Sequence, residues 1–175
     1  MSGPDLPGAG PSNGAVPVEA VRVARGGDGV RLLELSQELV RDITSQRGGS
    51  LLVGGDRLVA ELGTEPSRID ELLDDASSRV VVGTLDRAVI GFAMCHVVDE
   101  ADQGRRGVLD ACYVEPEARG VGVGRLLLEA LVAWLEERGC DGVDGVALPG
   151  DRGAKNFYES GGFKARMITM YRRMD

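Results

Sequence analysis

The chain has 175 residues, 43% of them hydrophobic, and this is enough to bury the core of one domain without help from a metal or a disulfide. A formal charge of −8 argues against broad nucleic-acid binding, which needs a basic face to displace counterions, and suits a cationic or amine partner better. Three cysteines, Cys95, Cys112 and Cys140, include no Cys-x-x-Cys pair and fit a secreted disulfide framework badly, so a reducing cytoplasm is the simpler setting.

Residues 2–16 are rich in glycine, proline and small polar types and cannot bury enough apolar surface to order themselves, so a disordered tail is expected over 1–17. The tail lacks the basic start and apolar centre of a signal peptide. No later run approaches the roughly 20 apolar residues of a membrane span, so no membrane partner is expected. Alternation over 18–23 predicts a first strand. Val30, Leu33, Ser36 and Leu39 or Val40, at helical intervals, predict a helix over 30–40. Short helices are expected at 56–62 and 66–76, the second with Pro66 in its first turn. Two β-rich runs, 80–84 and 89–98, are joined by Leu85-Asp86-Arg87-Ala88, a hairpin sequence. The second run is apolar on both faces, which places it in the middle of a covered sheet.

A polar loop is expected over 99–106, with Arg105-Arg106, like Arg172-Arg173, read as solvated basic pairs. A strand over 108–114 then leads into Glu115-Pro116-Glu117-Ala118-Arg119-Gly120-Val121-Gly122-Val123-Gly124. Alternate glycines let the main chain curl without Cβ clashes, so that successive N–H groups can face one anion, and the helix predicted over 124–138 adds its positive end there. The stripe Leu127, Ala130, Leu131 and Trp134 is that helix's core face, and Gly139 closes it. A dinucleotide fingerprint would need a third glycine where Leu127 stands. A P-loop would need Gly-Lys-Ser/Thr, but Arg125 and Leu126 follow Gly124, and the chain's two lysines are Lys155 and Lys164. A strand at 143–148, a helix at 151–160 and a last strand or hairpin partner at 162–173 complete the expected elements.

Val114-x-Pro116 followed by Arg119-x-x-Gly122-x-Gly124 resembles the acyl-coenzyme A pyrophosphate loop of the GNAT superfamily of N-acetyltransferases. A second block, Asp151-Arg152-Gly153-Ala154-Lys155-Asn156-Phe157-Tyr158-Glu159-Ser160-Gly161-Gly162-Phe163, is similar to the other signature of that family, an Ala-x-x-Phe-Tyr-Glu helix followed by a Gly-Phe turn. The two blocks stand in the family's order and separation. The resemblance implies one α/β domain (α+β by some schemes) over 18–175. Its sheet is expected to be single, mixed, mostly antiparallel and twisted, with six or seven strands and about four helices. It also implies acetyl-CoA as acyl donor, an amine acceptor on a small molecule, peptide or protein, and a homodimer as a possible assembly. The binding residues it implies are Cys112, Tyr113 and Val114 on the strand, the run Arg119, Gly120, Val121, Gly122, Val123, Gly124 and Arg125, and Asn156. In the family the strand opens beside the loop, and a bulge near Cys112 would produce that opening. One departure is Asp151, where the family usually has Asn. An ionised carboxylate cannot donate a hydrogen bond, though it is a good helix N-cap.

Acetyl transfer to an amine needs a group that takes a proton from the ammonium and one that protonates the departing thiolate. The resemblance assigns Tyr158 as the acid. It points to Asp110 as the carboxylate facing the amine, and by strand alternation Asp110 shares a face with Cys112 and Val114. Glu115 and Glu117 flank the turn, with Glu115 read as solvated. His96 shares a face with Phe92, Met94 and Val98 and reads as a satisfied, half-buried histidine. Cys112 as an acyl-accepting nucleophile has no evident activating base beside it. Two readings stay open: an N-acetyltransferase working by direct transfer in a ternary complex, and a non-catalytic acyl-CoA-binding or sensing module.

Overall fold

The computed structural model describes residues 18–53, 66–100 and 104–174, so the tail, the helix expected at 56–62 and the centre of the 99–106 segment lie outside the described residues. In chain order the elements are β1 (Glu19–Val23), α1 (Gly29–Thr44), α2 (Gly49–Val53), α3 (Pro66–Asp74), β2 (Ser78–Leu85), β3 (Ala88–Glu100), β4 (Gly104–Val114), α4 (Val123–Glu137), β5 (Gly142–Asp144) and α5 (Arg152–Ser160). Short 3-10 turns at Gly26–Asp28 and Pro116–Ala118 precede α1 and α4. The strands form one sheet in the order β1-β2-β3-β4-β5, antiparallel throughout except for the parallel β4–β5 pair.

The sheet is mixed and mostly antiparallel as expected, but it has five strands among the described residues rather than six or seven, and five α-helices accompany it. The missing strand is the one expected at 162–173. Phe163 packs against the core, yet Met167, Ile168, Met170 and Tyr171 are 76–87% exposed, and the Arg166–Asp144 ion pair at 3.0 Å ties the segment to β5 without a ladder. High β-propensity makes a strand only where a neighbour offers pairing and cover. The loop expected over 99–106 is instead taken up from both sides by β3 and β4, whose ladder continues to Glu100↔Gly104. Arg106, read as solvated, is held there by Glu100 and by Asp144. Arg105 pairs with Asp99 in the open.

Two cores lie on opposite faces of the sheet. Leu32, Leu35 and Leu39 of α1 and Ile69 and Leu72 of α3 cover Val80, Val82, Phe92, Met94, Ala111 and Tyr113. The α1 stripe is thus set by Leu32, Leu35, Ser36 and Leu39, and Val30, expected on it, is 75% exposed. On the other face Val123, Leu127, Leu128, Leu131, Trp134 and Leu135 of α4 cover Val81, Ala93, Cys95, Leu109 and Val114. Each fully buried aliphatic side chain contributes about 2 kcal/mol. The β2–β3 hairpin turns on Asp86 and Arg87, both in the left-handed region, the geometry of a two-residue hairpin turn.

Strand β4 is irregular in two places. Its register with β3 runs Met94↔Ala111 and then Cys95↔Leu109, leaving Asp110 as the extra residue of a bulge. Its pairing with β5 stops at Val108↔Asp144. The strand expected at 143–148 therefore has only three residues, and 109–114 of β4 has no strand neighbour on that side among the described residues.

Candidate active site

The glycine-rich run folds as a tight turn onto the first residue of α4. Gly120 and Gly122 lie at φ of 87° and 98°, a region a side chain strains to enter, and Gly122 is the N-cap of α4. The Arg119 N–H donates to the Pro116 carbonyl and the Arg125 N–H to the Gly122 carbonyl, so the two ends of the expected cradle are spent on local pairing. The amides of Gly120, Val121, Gly122, Val123 and Gly124 have no hydrogen-bond partner among the described residues. Five successive donors at a helix N-terminus make an anion seat of main chain.

The side chains at the ends of the run point elsewhere. Arg119 Nε donates to the Val114 carbonyl at 2.9 Å, and its guanidinium lies 5.6 Å from the Tyr113 ring centre and 3.6 Å from Asp42. Arg125 pairs along the exposed face of α4 with Glu129 at 2.7 Å.

Where the β4–β5 ladder stops, a cavity of about 600 Å³ opens. Gly120, Gly122, Val123 and Gly124 line it, as do the β4 stretch containing Asp110, Cys112, Tyr113 and Val114 and the ring of Tyr158. Arg119 and Arg125 also reach its wall, whereas Asn156 is exposed and stands off it, and Val121 brings only its main chain to the turn. Leu39, Asp42 and Ile43 of α1, and Gln46 just beyond its end, also line it. The sequence reading missed this helix face, although the spacing i, i+3, i+4 with a carboxylate between apolar neighbours was its signal.

Tyr158 is half-buried on α5, with the rings of Phe157 and Phe163 at 5.5 and 5.3 Å. Gly145 lets the chain after β5 pass against that ring: a Cβ there would lie 2.9 Å from it. Burial, helped by the nearby Cys112 thiol and Asp151 carboxylate, pushes the Tyr158 hydroxyl well above its ordinary range. It therefore holds its proton at neutral pH, and it has no hydrogen-bond partner among the described residues. Asp151 caps α5, its Oδ1 accepting the Ala154 N–H at 2.8 Å. Burial pushes the Cys112 thiol up to about 12, which makes it a wall of the cavity and a poor nucleophile.

The bulge corrects the face assigned to Asp110. A classic bulge turns its two residues to the same side, so Asp110 joins Ala111 and Tyr113 on the α1 face, while Cys112 and Val114 face α4. There its Oδ2 lies 2.7 Å from His96 Nδ1, and since a carboxylate only accepts, the imidazole Nδ1–H donates. His96 is thus the half-buried, satisfied histidine expected. The bond to Asp110 raises its pKa against the opposing effect of burial. Glu115 is not free in solvent: Arg31 of α1 grips it at 2.5 Å. Glu117 is exposed.

An open parallel ladder beside an amide cradle and a phenol is the arrangement of an acyl-coenzyme A-dependent transferase fold, and comparison with known proteins agrees. The model of the Acetyltransferase (GNAT) family matches residues 53–163. The aminoglycoside N(6')-acetyltransferase type 1 of Stenotrophomonas maltophilia is 31% identical over 124 residues, 65% of this chain and 81% of that protein. Among solved structures, a mutant Bacillus halodurans protein superposes with a TM-score of 0.76 at 21% identity, over 89% of this chain and 99% of that one. A predicted acetyltransferase of Clostridium acetobutylicum, solved with acetyl-CoA, superposes with a TM-score of 0.67 at 19% identity, over 89% and 96%. The chain belongs to the GNAT acetyltransferase family.

Proposed function

We propose that the chain transfers the acetyl group of acetyl-CoA directly to an amine acceptor, both bound at once. What carries this reading is that one cavity is lined by the amide cradle, the unpaired edge of β4, Tyr158 and Asp110. The residues present fit the donor. Five unpaired amides at a helix N-terminus suit a diphosphate, and an unpaired strand edge suits an arm that carries amides of its own. When bound, acetyl-CoA supplies a thioester whose carbonyl carbon accepts the amine nitrogen.

Asp110 Oδ1 takes a proton from the acceptor ammonium, which frees the lone pair on nitrogen. The Tyr158 hydroxyl, kept protonated by burial, lines the same cavity and donates to the departing sulfur as the C–S bond breaks, and the second proton that the nitrogen sheds on becoming an amide restores the phenol. Three carboxylates in the lining, Asp42, Asp110 and Asp151, outnumber its two guanidiniums, Arg119 and Arg125, and favour a cationic acceptor, and the curated relative makes an aminoglycoside amine the first one to try. Three free thiols suit a reducing cytoplasm. Among the described residues no helix is long and apolar enough to cross a membrane.

The test is release of free coenzyme A thiol from acetyl-CoA in the presence of aminoglycosides, polyamines, amino acids and peptides. Amine-stimulated release is expected from at least one class. Tight coenzyme A binding with no stimulated release across the panel, and no effect of Tyr158→Phe on that binding, would leave a binding module instead.

A further inference from the structure

Outside the cradle and the phenol, the proposed proton acceptor Asp110 carries a side-chain partner, His96, to which the proton steps of acetyl transfer give no role. His96 is the chain's single histidine. It lies on the α1 face of β3, half-buried, with Nδ1 on Asp110 Oδ2 at 2.7 Å. Asp110 is the bulged residue of β4, with a side chain only 6% exposed, and Oδ1 has no hydrogen-bond partner among the described residues. A bulged residue sits outside the ladder's repeat, so its side-chain direction is not fixed by pairing on both sides. Without a second anchor, a short carboxylate on such a residue would sample several rotamers, and a proton acceptor must stand within hydrogen-bond reach of its proton.

We infer that His96 is the positioning residue of this site: by holding Oδ2 of Asp110 it presents Oδ1 of the same carboxylate to the acceptor amine in the cavity. The inference rests on the reading of Asp110 as proton acceptor. The hydrogen bond uses the one oxygen that faces the imidazole and leaves the other for chemistry. No atom of His96 needs to touch the substrate, and His96 is not among the residues lining the cavity.

The surroundings of the imidazole support this division. Its register partners Ser78 on β2 and Val108 on β4 are uncharged. The charged groups that act on it are Asp110 from β4 and, more weakly, Asp75 from the connection between α3 and β2. Asp75 is itself fixed by Ser77 and by Ser78 Oγ at 2.8 Å. Two carboxylates on the ring favour its protonated form, in which Nδ1 always carries the hydrogen that Asp110 accepts.

Because the chain has one histidine, its imidazole signals are assigned in the NMR spectrum without further work. In the full chain the ring is expected to titrate above its ordinary value, and Asp110→Asn is expected to move that titration down. A ring that titrates at its ordinary value and does not respond to Asp110→Asn overturns the pairing and the inference with it. In the thiol-release assay with the same amine panel, His96→Leu is expected to lower kcat on the order of 10- to 100-fold with little change in KM for acetyl-CoA. His96→Asn, whose amide can donate from nearly the position of Nδ1, is expected to recover most of that loss. Binding of coenzyme A by both variants, measured as a rise in melting temperature, checks that they fold. If Asp110→Asn is inactive while His96→Leu keeps kcat within twofold, Asp110 stands as the proton acceptor and His96 is not its positioner. If Asp110→Asn turns over like the unmodified chain, the reading of Asp110 itself fails.

Discussion

The two ends of the cavity are made of different material. At the cradle, a contiguous run from Gly120 to Gly124 offers five main-chain amides with no hydrogen-bond partner among the described residues. At the end proposed for the acceptor, Asp110 of β4 lines the cavity and His96 of β3 holds it from behind, two residues that meet only in space. The first end depends on backbone conformation and is indifferent to most side-chain changes. The second depends on single atoms held by single hydrogen bonds. In the proposed function, this division would separate retention of the donor from choice of acceptor, since the side-chain end can change without disturbing the amides.

Substitutions break the comparison at one end or the other, and the largest effect belongs to the acceptor end. Asp110→Asn keeps shape and removes basicity, so kcat is expected to fall on the order of 100-fold or more while calorimetry finds coenzyme A affinity unchanged. Tyr158→Phe is expected to lower kcat about tenfold to 100-fold, again with little change in donor affinity; a larger loss of affinity than of turnover would make Tyr158 a packing residue. At the cradle the pattern reverses. Gly122→Val forces a β-branched residue to a φ of 98° with its Cβ about 3.0 Å from the Glu19 carboxylate, and strain of roughly 1–3 kcal/mol should weaken coenzyme A binding about fivefold to 100-fold. Gly124→Ala sharpens the point. Its Cβ would lie 3.5 Å from Phe157 and 3.7 Å from Val114, ordinary contacts, so affinity is expected to change by less than about threefold.

The smallest expected effect is on stability against pH, and it too belongs to the acceptor end. The folded chain raises the pKa of His96 above its ordinary 6.5 through the Asp110 bond. The stabilisation is therefore fully present below about pH 6.5 and is lost as pH rises through the higher folded value. Melting temperature should decline modestly from slightly acid to slightly alkaline pH, and Asp110→Asn should flatten that decline. The amides of the cradle do not titrate and add nothing to it.

The same contrast explains what could be read from the amino-acid order. The cradle was legible because its glycines, the strand before it and the helix after it are neighbours in the chain, and one backbone geometry demands that spacing. The placement of Tyr158 on a short helix beside the cavity was legible for the same reason, since it lies in a local helix-and-turn signature. Asp110 was placed on the strand before the cradle, but its face was assigned wrongly, because simple alternation cannot anticipate a bulge that shifts the register by one. Its partner His96 was correctly taken as satisfied, without any sign of what satisfied it. Arg31 on Glu115 and Asp42 on Arg119 were invisible, since each joins α1 to a turn more than 70 residues away. The strand at 162–173 was inferred from composition that suits a ladder, but the residues there find no neighbour to pair with.

The early end of the β4–β5 ladder has a thermodynamic consequence. Along 109–114 no strand is paired on the side away from β3 among the described residues, so a guest seated there would break no interstrand bonds and would meet only the Arg119 hydrogen bond to the Val114 carbonyl. The conformational cost of opening the sheet was met when the chain folded, and association can be quick and enthalpically favourable with little rearrangement of the host.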